Sequence, residues 1–315
     1  DLGQKYTYDK YNGKFLGESD YDQVIRVQEN TAIYKPNMRV DGKHEPLAYV
    51  ITNAYDDNDE IRNTLASIED SSRMRANCSG PIDPSEMKAK GLIEGVDYKL
   101  RTPNSYLTKK KNGEWGMIAY ANEINSVMIG YKRGRFTGEI GASGWCNDNP
   151  EKFKTLSKIS YWNEKAFATA DPETYGKQKG FAETFIEKRY RVGGGSFTTL
   201  SANRYHSGQS ARMSAHVDSG DTEMGLTTMC VFRSGEYDGA FLTFPRYGVA
   251  IDAPDNSVVI ADSLQIHGVT PITGKGERFS CVAYCDNRLA TLGSRARTPK
   301  PIGKYAKPNT LEEFF

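Results

Sequence analysis

The chain has 315 residues, 41 Lys+Arg against 40 Asp+Glu for a formal net charge of +1, and 38% hydrophobic, 26% charged and 11% aromatic residues. That length holds one large domain or two moderate ones with a real core, and the composition excludes a disordered or fibrous chain. No apolar run approaches the roughly 18 residues of a membrane helix. The N-terminus carries no charged-then-apolar signal pattern; the cysteine usage makes an intracellular protein the expectation, nuclear in a eukaryote and otherwise cytoplasmic.

Five cysteines, Cys78, Cys146, Cys230, Cys281 and Cys285, are an odd number without a CxxC pair. That argues against structural zinc and for reduced thiols. The neutral total charge hides segregation. Residues 101–136 hold seven Lys/Arg and two Glu, residues 206–262 three Arg and eight Asp/Glu, and residues 291–315 five Lys/Arg and two Glu.

Residues 1–190 read as a mixed α/β region, expected to serve as a substrate platform packed on the core. Asp56–Ser71 has an acidic first turn and apolar positions at Ile61, Leu65 and Ile68, which predicts a helix. Pro150–Ala168 predicts a second. Asp171-Pro172-Glu173 starts a third, with Asp as N-cap and Pro in the first turn, running to about Tyr190. After Gly193-Gly194-Gly195 the period changes. Ser196–Tyr205, Leu226–Phe232, Ala240–Phe244, Val249–Ile251, Val258–Ala261, Gln265–Ile272 and Arg278–Cys285 are short strand-like runs. Residues 191–290 are therefore expected to form an antiparallel sandwich or barrel with helices outside, an α+β fold. Residues 291–315 read as a basic C-terminal strap.

Two of the four histidines, His216 and His267, lie in the strand-rich half in an informative arrangement. His216-Val217-Asp218 puts an imidazole and a carboxylate on one face of an extended segment, because side chains alternate with period two. With His267 they make two imidazoles and one carboxylate, the facial triad of non-haem Fe(II) oxygenases, which leaves positions open for a co-substrate and O₂. Thr273–Glu277 reads as a hairpin turn between the strand of His267 and the strand beginning at Arg278. In that register Arg278 and Ser280 look into the interior that holds the metal, roughly 13 Å along the strand. A five-carbon dicarboxylate bound to iron at one end could meet the Arg278 fork at the other. Asn203 and Tyr205 share one face of the preceding strand, and both can hydrogen-bond a carboxylate or keto acid. Asp221 could orient a ligand or a substrate amino group, or cap the metal loop.

The order Asn-x-Tyr, His-x-Asp, His and Arg-x-Ser resembles the iron(II)/2-oxoglutarate-dependent dioxygenases. The stretches His216–Asp221, Gly235–Phe241, Phe244–Ala250 and Asp262–His267 are similar to the TET/JBP family of nucleic-acid-modifying dioxygenases, particularly its phage, algal and fungal members. The resemblance covers roughly residues 196–290. It implies a double-stranded β-helix (jelly-roll) core, Fe(II), 2-oxoglutarate as co-substrate, and oxidation of the 5-methyl group of a pyrimidine in DNA. 5-Methylcytosine is the first choice of base and thymine the second. By position it implies His216, Asp218 and His267 as iron ligands and Arg278 as the carboxylate partner of 2-oxoglutarate.

A base inside a duplex must be flipped out to reach iron in a pocket. Tyr131-Lys132-Arg133-Gly134-Arg135-Phe136 interleaves basic and aromatic residues, with Lys109-Lys110-Lys111 and Trp115 upstream, as phosphate contact and base stacking require. Arg295, Arg297, Lys300, Lys304 and Lys307 offer a second basic strip. Two other readings compete: the same iron enzyme acting on a small molecule or protein side chain, and a nucleic-acid binder that keeps the shell without catalysis. A reductant such as ascorbate is the alternative to 2-oxoglutarate.

Overall fold

A computed structural model describes residues 10–40, 43–55, 58–68, 75–78, 98–102, 105–109, 112–120, 123–134, 138–193, 195–207 and 213–290. In chain order its strands are β1 Gln23–Arg26, β2 Thr31–Val40, β3 Lys43–Ile51, β4 Arg75–Cys78, β5 Tyr98–Thr102, β6 Ser105–Lys109, β7 Trp115–Tyr120, β8 Glu123–Arg133 and β9 Ile140–Ala142. There follow β10 Thr199–His206, β11 Thr227–Gly239, β12 Leu242–Phe244, β13 Val249–Asp252, β14 Ser257–Ala261, β15 Gly268–Val269 and β16 Ile272–Tyr284. The helices are α1 Asn58–Ser67, α2 Gly144–Asp148, α3 Pro150–Ala170 and α4 Pro172–Phe185.

A long sheet runs β2-β3-β14-β11-β16-β10-β8-β4, with β9 on β8, and a short sheet runs β1-β13-β12-β15. The pairs are antiparallel except β1 with β13. Strands β5, β6 and β7 form a separate three-stranded sheet. Both principal sheets take strands from either side of residue 190: β1 lies on β13, β3 on β14, and β8 on β10.

Strand alternation sorts the residues of β11 and β16 between two cores. Cys230, Phe232, Phe279, Cys281 and Ala283 face the helices and pack with Leu65, Leu156, Ile159 and Phe167. Val231, with Val259 and Ala261, packs with Leu242, Phe244, Val249 and Ile251 of the short sheet. By the same alternation Asn203, Tyr205, Arg278 and Ser280 are on the face of the long sheet that looks into this second, inter-sheet space.

The helices follow the sequence signals. Ile61, Leu65 and Ile68 are buried, although α1 is shorter than expected. The Asp171 carboxylate accepts from the Thr174 amide at 2.9 Å, capping α4. That helix stops at Phe185, and a separate 3₁₀ turn covers Lys188–Tyr190. Cys281 and Cys285 are buried core thiols, as are Cys146 and Cys230.

The hairpin expected at 273–277 does not form. Residues 272–284 are one strand, paired with β11 from Thr228↔Ala283 to Gly239↔Ile272. The glycines that read as a turn serve close approach instead. A Cβ on Gly276 would lie 2.5 Å from the Tyr237 ring, and one on Gly239 would lie 1.9 Å from the Pro271 carbonyl oxygen. The expected strand 265–272 shrinks to Gly268–Val269 plus a single bridge at His267. The C-terminal strap, with Arg295, Arg297, Lys300, Lys304 and Lys307, lies outside the described residues, as do Arg135, Lys110 and Lys111.

Candidate metal centre and co-substrate pocket

His216 and His267 are brought together by backbone. Each amide donates to the other's carbonyl, at 2.8 and 2.9 Å, in an isolated antiparallel bridge. The rings lie 4.5 Å apart between centroids. Asp218, two residues on, places Oδ1 3.4 Å from His216 Nε2 and Oδ2 3.7 Å from His267 Nε2. One ligand atom from each of the three residues lies within 4.8 Å of the others. His216, Asp218 and His267 thus converge as their spacing predicts.

The surroundings dictate which imidazole nitrogen is free. His216 Nδ1 lies 2.7 Å from the Ser214 carbonyl, and His267 Nδ1 lies 2.9 Å from the Gln265 carbonyl. A proton on each Nδ1 leaves both Nε2 lone pairs aimed at the common centre. Burial and then the neighbouring His216 push His267 below the ordinary imidazole range, which favours its neutral, ligating form. Burial would raise the Asp218 carboxyl, but the two imidazoles outweigh it and hold it low. Burial opposes charge on His216, and Asp218 more than offsets this. Two imidazole nitrogens and one carboxylate on one side fit a divalent iron with open positions opposite.

The triad is fastened on every side. Asp218 N donates to the Ser263 carbonyl at 3.0 Å. Asp221 is buried, and its carboxylate accepts from the Thr227 hydroxyl and, at 2.7 Å, from Ser263 Oγ. Burial, and then the Asp218 charge, push the Asp221 carboxyl up to about 8. Its role here is to pin the metal loop. On the other flank, Gly13 N donates to the Ala215 carbonyl at 2.7 Å and Ala215 N to the Lys14 carbonyl at 2.8 Å. Leu16 packs beneath with Ala215 and Ile266.

Arg278 faces the same inter-sheet space by a different route from the expected hairpin. It sits in β16 opposite Tyr205 of β10 and Arg233 of β11. It is 3% exposed, its Nη2 lies 3.3 Å from Met229 Sδ, and its Nη1 has no partner. Arg233, beside it, is satisfied by Asp252 and stacks on Tyr237 at 4.3 Å. Asn203, opposite Ser280, has a buried Oδ1 without a partner, and so does the Tyr237 hydroxyl. Burial pushes the Tyr205 hydroxyl up to about 12, so it stays a neutral donor. A buried guanidinium with no carboxylate paired to it among the described residues fits an anionic ligand.

Tyr237 and Met229 were not singled out from sequence. The alternation of β11 relative to Arg278 could have found them, had the true strand pairing been known. Among the basic residues, Lys132 is half-buried in β8. Arg133 is exposed, but donates to the Arg288 carbonyl at 2.5 Å and the Gly138 carbonyl at 2.7 Å. Arg288, also missed, pairs with Asp286 at 2.8 Å and lies against Gly220 of the metal loop.

His216, Asp218 and His267 meet at an isolated bridge beside the short sheet, and an inward arginine stands on the long sheet; two histidines and one carboxylate are the donor set that non-haem Fe(II) oxygenases use. Residues 148–287 match the Tet_JBP family, described as the oxygenase domain of the 2OGFeDO superfamily. The thymine dioxygenase JBP1 of Trypanosoma brucei brucei is 31% identical over 168 residues, 51% of this chain and 19% of JBP1. The bifunctional helicase and thymine dioxygenase JBP2 of strain 927/4 GUTat10.1 is 26% identical over 206 residues, 62% of this chain and 17% of JBP2. The chain thus spans about a fifth of the length of these curated relatives. The solved structure of NgTET1 in complex with 5mC DNA shares the fold, with a TM-score of 0.50 and 11% identity, covering 85% of this chain and 84% of that one. No helix among the described residues is long and apolar enough to cross a membrane.

Proposed function

We propose that this protein is an Fe(II)- and 2-oxoglutarate-dependent dioxygenase that oxidises the 5-methyl group of a pyrimidine in DNA. The observation that carries it is the His216/Asp218/His267 donor set facing a space that also holds the buried guanidinium of Arg278, whose Nη1 has no partner. His216, Asp218 and His267 hold the iron. Arg278 takes the distal carboxylate of 2-oxoglutarate, with Ser280, Asn203 and Tyr205 beside it. When bound, iron, 2-oxoglutarate and O₂ supply the oxidising power needed at an unactivated methyl group. The protein fixes the ligands, fills the co-substrate slot and keeps water out.

DNA as the macromolecular partner is supported by the family and by the names of the relatives. A flipped base enters between the sheets, while Lys132, Arg133 and Arg288 meet phosphates, Arg135 extends that basic run in the sequence, and residues 1–190 act as platform. An intracellular setting, the nucleus in a eukaryote, belongs to this reading. The family resemblance makes 5-methylcytosine the first choice of acceptor, whereas the names of the thymine dioxygenase relatives favour thymine.

The test is turnover by anaerobically iron-loaded protein on DNA containing 5-methylcytosine and on DNA containing only thymine, with nucleosides read by mass spectrometry. Oxidised nucleoside that requires both iron and 2-oxoglutarate is expected. Succinate formation without any DNA product would move the acceptor to a small molecule or a protein side chain. Reversing charge at Lys132 and Arg133 should abolish turnover on DNA and lower the salt slope of binding by about one for each phosphate no longer neutralised. Unchanged DNA turnover would remove those residues from the interface.

A further inference from the structure

Lys35 is among the largest fully buried side chains of the described residues, only 1% exposed, and it stands on β2, far from the metal ligands in sequence. Its ammonium meets Glu45 and, at 2.7 Å, Asp262 Oδ2. Burial alone would push that ammonium down, but the two carboxylates outweigh it and keep it charged. Asp262 is fully engaged. Its Oδ2 also accepts from Gln265 Nε2 at 2.9 Å, its Oδ1 accepts from the Leu264 amide at 3.1 Å, and its carbonyl accepts from the Gln265 amide at 3.1 Å. The Gln265 side chain is held from its other end by the Tyr247 hydroxyl at 2.7 Å.

This turn hands two of its carbonyls to the metal centre. Ser263 O receives the Asp218 amide, and Gln265 O receives the His267 Nδ1 proton. We infer that Lys35 is a positioning residue for iron: through Asp262 it fixes the 262–265 turn whose carbonyls orient Asp218 and His267. This rests on the proposed iron site. The bland alternative is an ion pair that only stabilises the sheet. Against it stands the geometry, because the Asp262 carboxylate divides its bonds between the ammonium and the turn itself. Without the ammonium, a buried carboxylate loses its cation and the turn relaxes. The ring of His267 is then free to rotate about its fixed backbone.

The test compares wild type, His216→Ala, Lys35→Met, Lys35→Arg, Asp262→Asn and Arg62→Met. The last removes the Arg62–Asp255 ion pair, away from the turn. Iron affinity is measured on folded protein well below each melting temperature, and the cobalt(II) absorption spectrum reports ligand geometry. Lys35→Met and Asp262→Asn should each weaken iron about tenfold, as removal of outer-shell support does, and should alter the cobalt spectrum. Lys35→Arg should recover most of the affinity, and Arg62→Met should leave both readouts at wild type. Should Lys35→Met fail to fold, Asp262→Asn carries the test, because it keeps the turn's acceptor while removing the charge. Lowered melting temperature with unchanged iron affinity and spectrum would overturn the inference and leave the iron site standing. If wild type binds no iron more tightly than His216→Ala does, the site and the inference fall together.

Discussion

The two ends of the inter-sheet space are built on opposite terms. At the triad, every ligand is tied down: both Nδ1 atoms have carbonyls, the Asp218 amide has Ser263, and Asp221 has Thr227 and Ser263. At Arg278, three buried polar atoms from three strands have nothing to bond: Arg278 Nη1, Asn203 Oδ1 and the Tyr237 hydroxyl. Burying such groups unpaired is costly, and native folds rarely keep several together. A metal site needs ligands held before the ion arrives, so satisfaction there is preorganisation. An organic anion that comes and goes must bring its own acceptors, which fits the two donors, Arg278 Nη1 and the Tyr237 hydroxyl, whereas Asn203 Oδ1 is an acceptor and needs a donor from elsewhere.

The largest break in this comparison comes at the satisfied end. Asp218→Ala should abolish iron binding and all turnover, since two imidazoles alone leave the site without its anionic ligand. An iron-loaded, active Asp218→Ala protein would void the metal assignment. Arg278→Ala should raise the apparent KM for 2-oxoglutarate about 10- to 100-fold, the worth of a charge-assisted hydrogen bond, and leave the KM for DNA nearly unchanged. Equal losses for both substrates would mean that the dicarboxylate is held elsewhere, or that another reductant such as ascorbate serves.

Tyr237→Phe sharpens the contrast with a smaller effect. If its hydroxyl meets the co-substrate, 2-oxoglutarate binding should weaken roughly fivefold, as for one neutral hydrogen bond. Unchanged binding would confine the carboxylate site to Arg278 and the β10 side. The smallest effect concerns Glu164, a buried carboxylate on the helix side that accepts from Ser196 N at 2.7 Å and Ser196 Oγ at 2.8 Å. Burial nevertheless holds it above the usual carboxylate range. A carboxyl raised in the folded state favours folding at low pH, and that contribution is lost as pH climbs through its native value. The melting temperature should therefore fall gently above the ordinary carboxylate range. Glu164→Gln, which keeps the acceptor for Ser196, should flatten that slope, and an unchanged slope would assign it to another group.

The parts legible in the sequence were those set by local period and by residue type. His-x-Asp and the second His announced the triad, and the buried helix positions Ile61 and Leu65 announced α1. Glycines misled at 273–277, because a turn and a close strand crossing ask for the same residue, and only the partner strand distinguishes them. The same error hid Tyr237, which lies over Gly276. Lys35 was invisible for a different reason. A lysine in a strand reads as solvated until a carboxylate more than two hundred residues away is known to face it. Arg133 shows the reverse case: it stood out as a phosphate contact, yet much of its fork is spent on two carbonyls of its own chain.

The rung that joins residues 13 and 14 to Ala215 links positions roughly 200 residues apart in the chain, and β1 against β13 spans a comparable distance. Contacts of such separation close late in folding, after more local structure has collapsed. Unlike a zinc finger, whose metal drives the chain to fold, the triad here is held by backbone rungs and buried packing of the chain itself, so metal exchange at the proposed site should not require unfolding.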